Sequence, residues 1–177
     1  MPRENIESLR ERLIIAGKKE LEERGAKDFS LRRVALAAGV SCAAPYRHFA
    51  DKDELIRAII AYVREGFEML LAQISTAFSD RPGEALIEAM RAGVRFWTAN
   101  GDFRTVLYGD GVRDIASLSK PLADVAYSYA DHLGREGEER EALVFRALST
   151  FYGTLLLVFS SSVTLDEALS HLNIENL

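Results

Sequence analysis

Two short apolar segments, joined by nothing more than Gly39 and Val40, constrain this chain more than any other feature of its sequence. Leu31 to Ala38 reads as one helix, opened by Ser30 as an N-cap and closed by Gly39. Ser41 to about Phe49 reads as the next. A glycine at the joint can take the positive backbone angle that a sharp turn needs, where a side chain would be strained. Ala35 is small enough for the following helix to cross close above it, and Val40 can turn back toward Val34 and Phe49. The pattern is a helix-turn-helix. Directly after it, Asp51 opens another helix through an Asp-x-x-Glu capping box with Glu54.

Helical spacing continues on both sides. Ile6, Leu9, Leu13, Gly17 and Leu21 fall three and four residues apart, predicting a first helix that stops at Gly25. The helix from Asp51 is expected to run to about Phe78, before a Ser79-to-Gly83 loop. Glu84 to Ala99 is helical and is broken by Asn100-Gly101. The segment 101–120 reads as short helices and turns. Pro121 to Leu133, ended by Gly134, and Glu141 to Ser160 are further helices, and Thr164-x-x-Glu167 caps a last one. The sum is about nine helices and no strand, an all-α fold.

Composition narrows the function. With 177 residues and 48% hydrophobic content, the chain can fill a core. The net charge of -5 conceals an asymmetry: residues 1–60 hold 12 Lys and Arg against 10 Asp and Glu, and residues 61–177 hold 10 against 17. A basic front on an acidic body suits two parts with different partners. One cysteine, Cys42, excludes an internal disulfide, and a cytoplasmic location is expected. His48, His132 and His171 are scattered, so no metal site is expected, and no motif calls for a cofactor. The most apolar run, Leu155 to Phe159, is too short for a transmembrane span, and the N-terminus lacks a signal-peptide core, so no membrane partner is expected.

The flanks of the turn carry a resemblance. Glu23-Arg24-Gly25, Phe29-Ser30-Leu31-Arg32-Arg33-Val34-Ala35, Ala38-Gly39-Val40-Ser41, Tyr46-Arg47-His48-Phe49 and Asp51-Lys52-Asp53-Glu54-Leu55 follow in order between Arg12 and Ile60. That stretch resembles the N-terminal DNA-binding domain of the TetR family of bacterial repressors. The resemblance implies a helix-turn-helix DNA-binding domain over residues 1–52 and a helical effector-binding and dimerisation domain over residues 53–177. It implies a homodimer acting on a palindromic operator in double-stranded DNA, with repression relieved by a small effector.

Site residues follow from the same resemblance. Ser41, Cys42, Ala43, Ala44 and Tyr46 fall at the start of the recognition helix. Cys42, Ala43 and Ala44 are short and mostly apolar, able to meet thymine methyls but not to form bidentate hydrogen bonds, so directional contacts fall to Tyr46 and Arg47. Ser30, Arg32, Arg33, Arg47, His48 and Lys52 would hold phosphates. Read without the resemblance, Arg32, Arg33 and Lys52 are ordinary solvated charges, and His48 is a partly buried hydrogen-bonding side chain.

In the larger domain, the last two helices are the expected dimer contact. Leu143 to Phe159 is apolar on more than one face, and Leu165, Leu169 and Leu172 add to it. Phe96, Trp97, Phe103, Tyr108, Tyr127, Phe151 and Tyr152, with Arg95, Asn100 and His132 as polar anchors, are candidate contacts for an apolar or aromatic effector. The competing account of these aromatics is plain core packing. Two other functions compete with this one. A regulator reading a protein partner instead of an effector leaves the headpiece unchanged. A small helical enzyme lacks support, because no paired carboxylates, Ser/His/Asp set or phosphate-cradling loop is present, and the adjacent Asp131 and His132 do not share a helix face.

Overall fold

The computed structural model of the chain describes residues 8–100 and 115–176. They form seven α-helices: α1 Leu9–Arg24, α2 Leu31–Ala37, α3 Lys52–Ala77, α4 Pro82–Ala99, α5 Ile115–His132, α6 Gly137–Phe159 and α7 Leu165–Ser170. Two 3-10 turns, Pro45–Arg47 and Ile174–Asn176, accompany them, and no strand occurs among the described residues. The chain divides into two compact units, residues 1–64 and 65–177. The division lies inside α3 and not at the expected 52/53, because the first turns of α3 complete the core of the first unit.

In that unit α1 begins at a Ser8–Glu11 capping box, with the Glu11 N–H donating to Ser8 Oγ at 3.2 Å and the Ser8 N–H to Glu11 Oε2 at 2.7 Å. The Ser-x-x-Glu signal stands in the sequence and went unread. α1 ends at Gly25, whose φ of 71° releases the chain while its N–H still reaches Leu21 O. Gly17 lets α1 lie close on α3: a Cβ there would fall 2.8 Å from Ile59 Cδ1. Leu13, Leu21, Val34, Ala35, Leu55 and Ile59 are fully enclosed around that contact. The Arg10 guanidinium covers the Phe49 ring at 5.4 Å. Ser30 occupies the N-cap position of α2 but makes no capping hydrogen bond through its side chain.

The third element departs from expectation. In place of a helix over 41–49 there is a run of tight turns with a single 3-10 turn at Pro45–Arg47. The Ala44 N–H takes the Ser41 carbonyl at 2.9 Å, the Arg47 N–H takes Ala44 O at 3.2 Å, and the His48 and Phe49 N–H groups share Pro45 O at 2.9 Å. Pro45 has no N–H to give Ser41 the i→i−4 bond of an α-helix, so the carbonyl is satisfied one residue earlier by a 3-10 bond. Ala44 and Pro45 are buried, and Ala44, expected at the exposed start of the reading element, is only 8% exposed.

The second unit is built on α4, which lies against α5, α6 and α7. Its core holds Phe67, Leu71, Leu86, Met90, Val94, Leu122, Ala126, Phe151 and Leu155. Gly93 is where the crossing is tightest, since a Cβ would sit 2.8 Å from Phe151 Cε2 and 3.3 Å from Phe67 Cε2. α5 begins at Ile115, six residues before the expected start, and keeps Pro121 inside it. A proline two turns from the helix start forfeits one intrahelical bond and leaves the rest of the ladder intact. α6 likewise starts at Gly137 instead of Glu141. Thr164 and Glu167 form the expected capping box of α7. Arg91 ties the chain end to α4 by donating to Leu172 O at 2.8 Å.

α6 also corrects the membrane reading of the sequence. Among the described residues it is the one helix long and apolar enough to cross a membrane, with a window mean hydropathy of 1.7 and 28% of that window buried. Length and composition alone do not distinguish such a span from the central helix of a helical unit. Here Leu143, Val144, Ala147, Phe151 and Leu155 are buried along one side of α6.

Candidate nucleic-acid interface

The headpiece brings most of the predicted DNA residues to its surface. Ser41, Cys42 and Ala43 are exposed ahead of the 3-10 turn. Tyr46 projects from it at 62% exposure, followed by exposed Arg47 and His48. The turn itself is held by Gly39, at φ 70°, with its N–H on Leu36 O at 3.1 Å and the Val40 N–H on Ala35 O at 2.9 Å.

Lys52, exposed, is the first residue of α3. Asp51 Oδ1 accepts from the Glu54 N–H at 2.7 Å, as the capping box requires. The reciprocal bond goes one residue further back, from the Ala50 N–H to Glu54 Oε2 at 2.6 Å. The first-turn amides of Lys52 and Asp53 have no intrahelical acceptor and lie at the positive end of a 26-residue helix, a favourable place for an anion.

The two arginines of α2 separate in role. Arg32 is exposed. Arg33 turns back: its Nε donates to Glu20 Oε1 at 2.7 Å and its Nη2 to the Asp28 carbonyl. Glu20 is the one buried charged residue among those described, at 8% exposure. Hydrogen bonding to Glu20 holds the Arg33 guanidinium above its ordinary pKa, so it stays charged where it clamps α2 to α1. The sequence reading gave Arg33 to phosphate and missed Glu20, because nothing in local spacing shows that residues 13 apart will meet. It also passed over Leu36, 78% exposed at the end of α2.

The candidate effector residues do not converge. Trp97 and Phe151 are core, at 3% and 2% exposure. Phe96 meets Phe67 at a tilt and Trp97 edge-on, with ring centroids 5.4 and 5.3 Å apart, and Tyr152 meets Phe151 edge-on. Asn100 Nδ2 donates to Phe96 O at the end of α4, and Arg95 and His132 are exposed. Tyr127 donates to Glu141 at 2.8 Å, which raises its pKa, and its ring lies 4.2 Å beneath the Arg140 guanidinium. Arg140 in turn holds Asp131 at 2.6 Å. Phe103 and Tyr108 lie outside the described residues.

A cleft of about 470 Å³ opens instead between α3 and α5. Its floor is Leu71, Pro121 and Val125, and Glu68, Ser75, Lys120, Asp124 and Ser128 form its rim. Lys120 Nζ and Asp124 Oδ2 pair across one turn at 3.0 Å. An apolar floor with a few polar groups at the edge is the usual make-up of a small-molecule site.

Residues 13–59 match the bacterial regulatory proteins of the tetR family. No curated protein matches the chain in sequence. Among solved structures, it is similar to SmeT, the repressor of the Stenotrophomonas maltophilia multidrug efflux pump SmeDEF, with 22% identity, a TM-score of 0.72, and coverage of 93% of this chain and 86% of that one. The transcriptional regulator FadR from Bacillus subtilis, in complex with stearoyl-CoA, aligns at 14% identity and TM-score 0.70 over 94% and 98% of the two chains. AibR, in complex with isovaleryl coenzyme A and operator DNA, aligns at 20% and 0.64 over 92% and 95%. These likenesses are ones of fold, and they extend through both units. The match to the tetR-family model is confined to residues 13–59, and beyond it the chain shares the all-helical fold of solved regulators.

Proposed function

We propose that the chain is a homodimeric transcriptional repressor that binds a palindromic operator and is released by a small apolar effector. The observation that carries the DNA half is the surface of the headpiece: Tyr46, Arg47, His48 and Lys52 all exposed, within the segment that matches the family. One such turn covers a few base pairs, and a two-fold pair doubles the readout at a spacing set by the dimer.

The second copy has a surface to meet. Ala142, Phe145, Ser149, Gly153, Leu156 and Ser160 recur at spacings of three and four along the side of α6 away from its buried residues, and all are exposed. Phe145 reaches 71% and Leu156 55%. No heavy atom lies within 4 Å of where a Gly153 side chain would begin, so a partner helix can approach closely there. A stripe this apolar is better covered by an identical stripe than by water.

For the effector we favour the cleft between α3 and α5. Its floor is apolar, its size suits a small ligand, and two of the similar structures hold acyl-CoA thioesters. α3 runs unbroken from Lys52 to Ala77. A ligand that prefers a wider cleft would displace α3, and with it Lys52, shifting the dimer away from the spacing the operator needs.

Selection of bound duplexes from a random pool tests the DNA reading: a palindrome is expected, and recovery of no duplex in dilute buffer would sink it. A thermal-shift series with isovaleryl-CoA, stearoyl-CoA and the free acids tests the effector. A ligand at a hundredfold excess over Kd should stabilise the protein by about 2.7 kcal/mol. Val125→Trp, which fills the floor of the cleft, should abolish that shift.

A further inference from the structure

The reading surface of the headpiece has an unusual chemical inventory. From Ser41 to Tyr46 it contains no amide, carboxylate, guanidinium or ammonium side chain. The bidentate pairs that distinguish guanine and adenine by hydrogen bonding are therefore out of reach for these positions. What the segment exposes is the Ser41 hydroxyl, the short Cys42 side chain, the Ala43 methyl and the Tyr46 ring with its hydroxyl, single polar groups that cannot make a bidentate pair. Pro45 and Ala44 are buried beneath them, which fixes the direction in which the exposed side chains leave the turn.

The backbone sharpens that presentation. Two successive i→i−3 turns, closed by Ala44 N–H to Ser41 O and Arg47 N–H to Ala44 O, put Ala43 and Tyr46 at equivalent places three residues apart. The 3-10 turn itself is confined to Pro45–Arg47, and what the two turns share is their i→i−3 closure. Both Ala43 and Tyr46 are exposed, one offering a methyl and the other a ring. The base-edge feature in the major groove that is complementary to an exposed methyl is the C5-methyl of a pyrimidine.

We infer that this headpiece reads its operator through thymine methyl groups, with Ala43 and Cys42 as the apolar contact and the exposed Tyr46 ring three residues on. Arg47 and Lys52 then serve the phosphates and set the register. The inference rests on the DNA-binding reading above and adds to it the chemistry of discrimination, a 5-methylpyrimidine at the base facing Ala43.

The test uses the full chain and the operator recovered from the random pool. Each thymine of one half-site is exchanged in turn for uracil, which removes the methyl and leaves pairing intact, and affinities are compared at one salt concentration. One or two positions should each lose roughly three- to fourfold, the worth of a buried methyl. In Ala43→Gly the uracil penalty at the facing position should shrink toward nothing. Ala43→Ser, which keeps a Cβ and so guards against a loosened turn, should reduce it as well. Uracil tolerated at every position would overturn the inference while leaving DNA binding in place. So would a penalty unchanged in both variants, or affinity that instead collapses when 7-deazaguanine replaces guanine, since that pattern assigns the reading to Arg47. If no duplex is recovered at all, it is the DNA-binding reading that fails.

Discussion

Arg33 and Arg47 are the same side chain in the same headpiece, and their surroundings give them opposite roles. Arg33 is held by Glu20 and the Asp28 carbonyl, so its charge is already answered within the protein. Arg47 stands exposed at the end of the 3-10 turn, beside His48 and ahead of Lys52. Replacing Arg47 or Lys52 with alanine should leave the melting temperature unchanged and lower operator affinity, with the salt slope falling by about one per lost phosphate contact. Arg33→Ala should behave in reverse. It leaves a buried carboxylate without its partner, so the melting temperature should drop by a few degrees while the salt slope stays as it was. Calorimetry and filter binding over a salt series on the three variants separate the two outcomes.

At the scale of elements, helix ends and crossings are set by single residues whose removal has a calculable sense. Glu167 accepts from the Thr164 backbone and hydroxyl, chiefly the backbone, and its carboxyl is held below the ordinary value of 4.5. A carboxyl lowered on folding contributes stability that is complete above its unfolded value and is lost as pH falls through the folded one. The difference in melting temperature between the native chain and Glu167→Gln should therefore be constant near neutral pH and close as the pH drops below about 4.5. Gly93 is the corresponding point for a crossing. Its Cβ would meet the rings of Phe151 and Phe67, both buried, so Gly93→Ala should cost about 1–3 kcal/mol through overpacking. Denaturant unfolding gives the number, and a neutral result would mean that the aromatic cluster has room to repack.

Over the whole molecule, the proposed homodimer rests on the exposed stripe of α6, which carries Phe145 and Leu156. Leu156→Glu or Phe145→Glu places a charge in that stripe and should turn a dimer into a monomer by sedimentation, with helical content retained. Operator affinity should fall by far more than the single headpiece substitutions cause, because a lone reading turn keeps only half the contacts. A native chain that sediments as a monomer would remove the basis for a palindromic site.

How much of this was legible beforehand depends on how local the cause was. The turn at Gly39, the cap at Thr164, the stop at Gly25 and the all-helical class come from signals within four residues of each other, and each was readable. The third element departs from the helical expectation because Pro45 not only removes a bond but lets a tighter one, from the Ala44 N–H to Ser41 O, replace it. Ala44 was expected outside and is buried by that same tightening. α5 begins earlier than Pro121 because a helix tolerates a proline near its start when its neighbours hold it.

By itself the sequence determined the helical class, the glycine turn after α2 and the excess of Lys and Arg in the first sixty residues, since those follow from periodicity, capping and composition along the chain. Only the tertiary structure decided that Arg33 is a clamp, that Trp97 and Phe151 are core, and that a cleft opens between α3 and α5. Each of those depends on which residues distant in sequence come together, and the free energy of burial and pairing that selects them is not written in any local pattern.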